Sequence, residues 1–148
     1  MIVRIPITEL RWSQAMKSVR KIAIALLGFL SLSAIVGAVP LILYPSGHPW
    51  GYISLDMLQY SPFHSFLIPG IILLLANGVM SLLALYLTVR RRSGYGWWVA
   101  FQGCVLAGWI VVEVIMLRLM MWAHELYLAI GLALIVSGIA FTRDRRGA

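Results

Sequence analysis

Few side chains in this sequence are equipped for chemistry, and the one in the most demanding setting is Glu113. It stands inside the apolar run Gly96 to Trp122, which carries one basic residue, Arg118, near its end. A carboxylate inside a membrane span costs roughly 2.5–3.5 kcal/mol on insertion scales, so it normally faces a bundle interior or a wet cavity. Either it binds a ligand or carries a proton, or it is a hydrogen-bonded structural group that ties helices together. At helical spacing its neighbours are Trp109, Ile110, Met116 and Leu117, read here as offering no partner. The partner is therefore expected from another helix. Counted inward from the outer ends of their spans at 1.5 Å per residue, Glu113 lies about 13 Å deep, Ser33 about 16 Å and Asn77 about 20 Å. Ser33 and Asn77 are thus the candidate partners. Arg118 is about 140° around the helix from Glu113, so it is expected to snorkel outward toward Glu125 or Asp56.

The remaining candidates cluster at the outer mouth: Asp56, His64, His124 and Glu125, with His48 in the same loop. Their spacing forms no recognised metal-ligand motif, and a haem held between His64 and His124 has no stronger basis. There is no Ser/His/Asp set, no phosphate loop and no cofactor motif, so neither a cofactor nor a metal site is expected. Cys104 is a lone, apolar-flanked thiol without a CxxC partner, which reads as a small packing residue.

These residues must be positioned by helices in lipid. Apolar residues make up 61% of the 148 and charged residues 11%, with mean hydropathy +0.92; a soluble domain is nearer half apolar and a quarter charged. The sequence predicts an all-α membrane protein: a bundle of four transmembrane helices at about 22–44, 63–89, 96–121 and 125–141. Residues 1–21 form a basic flank, with an amphipathic turn around Trp12 and Met16 as the alternative, and residues 143–148 a basic tail. A cleavable signal ending near Val36-Gly37-Ala38 is the competing reading of the first span. Pro40 and the apolar Leu41-Ile42-Leu43 beyond it argue against cleavage, and the helix is expected to kink or end near Pro40. The loop 45–62 between the first two helices is rich in Trp and Tyr, which suits a membrane interface, and Ser54 is placed to cap a short turn.

Small residues mark the packing faces. Gly70, Asn77, Ser81, Ala84 and Thr88 form one stripe on the second span; Ala100, Gly103, Ala107 and Val114 form one on the third; Ala129, Ala133, Ser137 and Ala140 form one on the fourth. Small side chains let membrane helices approach closely. On the third span Gln102, Leu106, Trp109, Glu113, Met116 and Met120 share a different face.

Eleven of the twelve Lys and Arg residues fall before residue 22, at Arg90–Arg92 or after residue 142, leaving Arg118 alone at the other end. The positive-inside rule then places both termini in the cytoplasm. The net charge of +7 is spent on this topology, not gathered on one face for nucleic acid. The segments Val112-Glu113-Val114-Ile115-Met116-Leu117-Arg118, Leu126 to Gly131 with Trp122, and Ser61-Pro62-Phe63 with Leu67 to Gly70 resemble a group of small, uncharacterised bacterial four-helix membrane proteins. That resemblance implies a multi-pass protein of the bacterial inner membrane and no activity.

The reading favoured by the residues is a non-catalytic membrane protein: a subunit, an accessory factor or a lipid- or hydrophobe-binding bundle. It would contact the bilayer and, through its small-residue faces, a partner membrane protein or further copies. Alternatives are a proton-coupled carrier or channel-like oligomer using Glu113, and a small enzyme acting on a lipid or quinone at the outer mouth. A wet cleft reaching Glu113 would favour transport, a lipid-wide groove beside His64 and Arg118 binding or catalysis, and a filled core a subunit. Orientation is testable directly: with Cys104 replaced, an impermeant thiol reagent added outside should label Ser46→Cys and spare Ser93→Cys. The reverse pattern would reject the topology.

Overall fold

The structure, a computed structural model, describes residues 7–47, 51 and 53–144. Four helices are long and apolar enough to cross a membrane: α1 (Ile7–Leu43), α2 (Leu67–Val89), α3 (Tyr95–Leu117) and α4 (Trp122–Asp144). The described residues contain no strand. His48, Pro49, Trp50, Tyr52 and the basic residues Arg4, Arg145 and Arg146 lie outside the described residues.

Helix α1 is longer than its apolar run. Its 37 residues extend about 55 Å at 1.5 Å per residue, against a hydrocarbon core of about 30 Å. The basic flank is thus a continuous helix, with Met16 and Val19 packed onto the core. No Gly or Pro interrupts it before Gly28. Pro40 does not end it: the helix runs to Leu43, and Pro40's own carbonyl accepts the Tyr44 N–H at 2.9 Å. In the following loop Ser54 accepts the Asp56 N–H at 3.3 Å and caps a single 3-10 turn, Leu55–Leu58, as expected. Leu58 is buried under that turn.

All five residues of the expected stripe on α2 are buried. Gly70 is needed against α1, because a Cβ there would meet Leu41 Cβ at 2.8 Å. Residues Leu73–Val79 form a π-helical segment within α2, which widens the helix where Asn77 and Gly78 both face inward. Such segments recur at functional sites.

The α3–α4 hairpin is the most extensive interface in the bundle. Ala100, Gly103 and Ala107 pack as expected, but their counterparts on α4 are Gly131 and Gly138. Ala129 and Ala133 are exposed; of the predicted α4 stripe only Ser137 is buried, with Ala140 half-buried. The expected face is therefore rotated. Glycine permits a closer approach than alanine, and the two helices register on it. A Cβ on Gly103 would lie 2.5 Å from the Gly131 carbonyl oxygen. Cys104 likewise faces outward rather than packing inside.

Helix α3 ends at Leu117, four residues before the expected end, because Arg118 adopts a left-handed conformation (φ 48°). Helix α4 starts at Trp122 rather than 125 and continues to Asp144. At the far end the Trp12 indole donates to the Asp144 carboxylate at 2.8 Å, and Arg20 donates to the Thr88 carbonyl at 3.3 Å. These bonds gather the helical ends of both termini and the Arg90–Arg92 turn at one end of the bundle. Overpacking a close contact costs about 1–3 kcal/mol, so Gly103→Leu should lower thermal stability in detergent while Ala133→Leu leaves it nearly unchanged. The opposite ranking would place the packing face at Ala133.

Candidate functional site

The stripe on α3 that carries Glu113 faces inward. Gln102 and Leu106 are buried, and Trp109, Glu113 and Met116 are half-buried; Met120 lies beyond the helix and is exposed. Because α3 stops at Leu117, Glu113 stands four residues from the helix end, about 6 Å inside it. This corrects the expected depth of about 13 Å. Asn77 and Ser33 do share a space with Glu113, an open cleft of about 170 Å3 whose walls also include Leu73, Leu106, Trp109 and Tyr127. Neither bonds to Glu113. Ser33 donates to its own helix at the Leu30 carbonyl, 3.0 Å away, and Asn77 Oδ1 accepts from Gln102 at 3.5 Å.

The partner of Glu113 is His124, whose Nε2 lies 4.0 Å from Oε2. His124 is buried at the start of α4, and its Nδ1 accepts the Met121 N–H at 3.0 Å. A ring nitrogen that accepts carries no proton, so in the neutral ring the hydrogen sits on Nε2, facing the carboxylate. The bond from Met121 also satisfies one of the orphan N–H groups at the helix start, the role a Glu or Gln plays in a capping box. Trp109, one turn before Glu113, lines the same cleft beside it, and its indole N–H is a donor.

Below Glu113 the cleft is lined by Asn77, which packs against Gln102 behind it. Asn77 and Gln102 are both buried, and Gln102 Nε2 donates to the Ala76 carbonyl at 3.1 Å. That carbonyl belongs to the π-helical segment, where the ordinary helical pairing is disturbed. Asn77 Nδ2, Ser81 Oγ and Gln102 Oε1 have no partner in the structure. Buried polar atoms are ordinarily satisfied by protein or by ordered water. Above Glu113 lies an apolar chamber of about 260 Å3 bounded by Met57, Leu58, Phe66, Met116 and Met121 among others. The two spaces share Leu73, Trp109 and Glu113 as walls.

The other expected residues do not join this site. Arg118 meets neither Glu125 nor Asp56; its guanidinium lies 4.1 Å from the centroid of the Tyr60 ring. Asp56 accepts from the Ser54 hydroxyl at 3.1 Å. Glu125 is exposed in the first turn of α4, where a carboxylate suits the helix dipole. His64 is exposed and borders a separate concavity with Leu55, Gln59 and Phe63. Among the described residues no three His, Cys, Asp or Glu side chains are grouped to hold a metal ion.

Sequence reasoning misses Gln102, Trp109, Tyr127 and the His124–Glu113 pairing as features of the site. Gln102 and Trp109 stand on the right stripe, and their polar atoms are the available signal. The pairing depends on where the hairpin turns, which the sequence does not mark. Comparison with known proteins finds no matching family model, no matching curated protein and no matching solved structure. The site's geometry is therefore the basis for any functional reading.

Removing the helix cap at His124 should cost about 0.5–2 kcal/mol, as loss of a capping side chain does. His124→Gln, which can accept the same N–H, should recover most of that stability in a thermal melt, and His124→Ala should not. Equal melting of the two variants would show that the cap contributes nothing.

Proposed function

We propose that this protein is a membrane-embedded binding protein that admits a small amphipathic molecule from the outer side of a bacterial inner membrane. The polar end rests among Glu113, His124 and Asn77, and the apolar part occupies the methionine-lined chamber. The observation that carries the reading is the shared wall: one carboxylate stands where a cleft lined by Asn77 meets an apolar chamber. Ligand sites are commonly apolar clefts with a few placed polar groups, and methionine suits ligands of varied shape. The orientation rests on the positive-inside rule, and the bacterial setting on the sequence resemblance.

A carrier that moves protons or solutes past Glu113 is the second reading, supported by the open cleft that reaches the carboxyl group. Against it, the basic end of the bundle is filled by Ala23, Leu27, Ala84, Val99 and Phe141, each at most 1% exposed. That packing supports a site closed on the cytoplasmic side. The exposed Ala129 and Ala133 offer a flat face for a second membrane helix, which suits an accessory or subunit role beside the binding site.

Gly37 borders the cleft, and a Cβ there would meet only Leu73 Cδ2, at an ordinary 3.6 Å. Gly37→Leu should therefore fill the cleft without unfolding the bundle. Native mass spectrometry of protein extracted from membranes should show a small bound species on the wild type that is absent from Gly37→Leu. Retention of the same species by the variant would reject the cleft as the binding site.

A further inference from the structure

We propose that the molecule held in this cleft is a lipophilic organic cation, an alkylammonium with a short apolar chain, for which Glu113 is the counter-ion. The inference rests on the binding function above and deepens it. Glu113 keeps 36% of its side chain exposed, and it lines both spaces. Its protein partners do not cancel its charge. His124 is held by the Met121 N–H in the form that offers a neutral Nε2–H. Arg118, just past the end of the same helix, is turned onto Tyr60. A carboxyl group in a low-dielectric cleft with only neutral donors has no counter-charge in the protein, and a bound cation would supply one and favour its ionised form.

The walls suit that cation. Trp109 and Tyr127 both border the cleft beside Glu113, and aromatic faces attract ammonium groups, most strongly when both are desolvated. Tyr127 is held in place by stacking on Phe29, with centroids 6.1 Å apart and planes 17° from parallel. The chamber above supplies an apolar surface for the chain. A second observation points to an occupant independently of the charge. Asn77 is 0% exposed, lines the cleft and has no partner for its amide nitrogen. A water carried in with the ligand would satisfy it.

The test compares three probes of similar bulk and different charge: hexyltrimethylammonium, 1-octanol and hexanesulfonate. Each is titrated calorimetrically into the protein held in phosphatidylcholine nanodiscs, with empty nanodiscs subtracted. The expected result is saturable binding of hexyltrimethylammonium that exceeds both other probes. Glu113→Gln should weaken it by tenfold or more, and Trp109→Leu by about twofold to thirtyfold, the range of one cation–aromatic contact. Equal binding of octanol and the ammonium probe to the wild type, or unchanged ammonium affinity in Glu113→Gln, overturns the cation inference and leaves the amphipath reading standing. Preference for hexanesulfonate overturns it likewise. If none of the three binds the wild type and no bound species is seen by native mass spectrometry, both proposals fall together. Because the three probes are compared on the wild type itself, the test remains decisive even where a variant fails to fold.

Discussion

The bundle depends on the backbone-to-backbone approach of α3 and α4. Lipid tails are as apolar as leucine, so burying leucine offers little drive for membrane helices to associate. Close van der Waals contact must do it, and that contact is densest where no Cβ intervenes. Gly103 meets Gly131, and Gly96 and Ala100 meet Gly138. The pair becomes one rigid hairpin. Because both helices of the hairpin are fixed in register, Glu113 near the end of one and His124 at the start of the other are held 4.0 Å apart.

Around that hairpin the bundle divides along its length. At the basic end small residues on three helices, Ala23, Ala84 and Thr88 with Gly96, allow tight contact, and Phe141 fills what is left. Toward the other end polar groups enter the interior. Asn77 and Gln102 occupy each other and the Ala76 carbonyl, leaving three buried polar atoms without partners. Polar atoms in lipid must be answered inside the protein. One of the three, Asn77 Nδ2, lines the cleft, where a solvent molecule or ligand can answer it. The π-helical segment of α2 lies at the same level, so the helix with the disturbed backbone pairing is the one that supplies Asn77.

The loop between α1 and α2 completes the apolar chamber. Its 3-10 turn, capped by Ser54, sets Leu58 beneath it, and the Phe66 N–H donates to the Pro45 carbonyl at 2.9 Å. That bond ties the end of the loop to its beginning. Met57 and Leu58 then face the chamber opposite Met116 and Met121. A loop of interfacial composition is thus folded over the bundle as one wall of the site.

Much of this was legible in the amino-acid order, for reasons that are local. Four long apolar runs determine four helices, because lipid demands internally paired backbone. The stripe Gly70, Asn77, Ser81, Ala84 and Thr88 determines the buried face of α2, because small side chains at helical spacing leave few alternatives. The inward aim of Glu113 follows from the cost of placing a carboxylate in lipid. What the tertiary structure decided concerns relations between helices. It ended α3 at a left-handed Arg118, a conformation that usually falls to Gly or Asn and so leaves no mark here. It chose Gly131 and Gly138 over Ala129 and Ala133, because two glycine-bearing backbones can come closer than any pair bearing a Cβ. And it gave Glu113 to His124 instead of Asn77 or Ser33, because partnership in a bundle is set by the depth at which each helix begins, and that depth is fixed only when the helices pack.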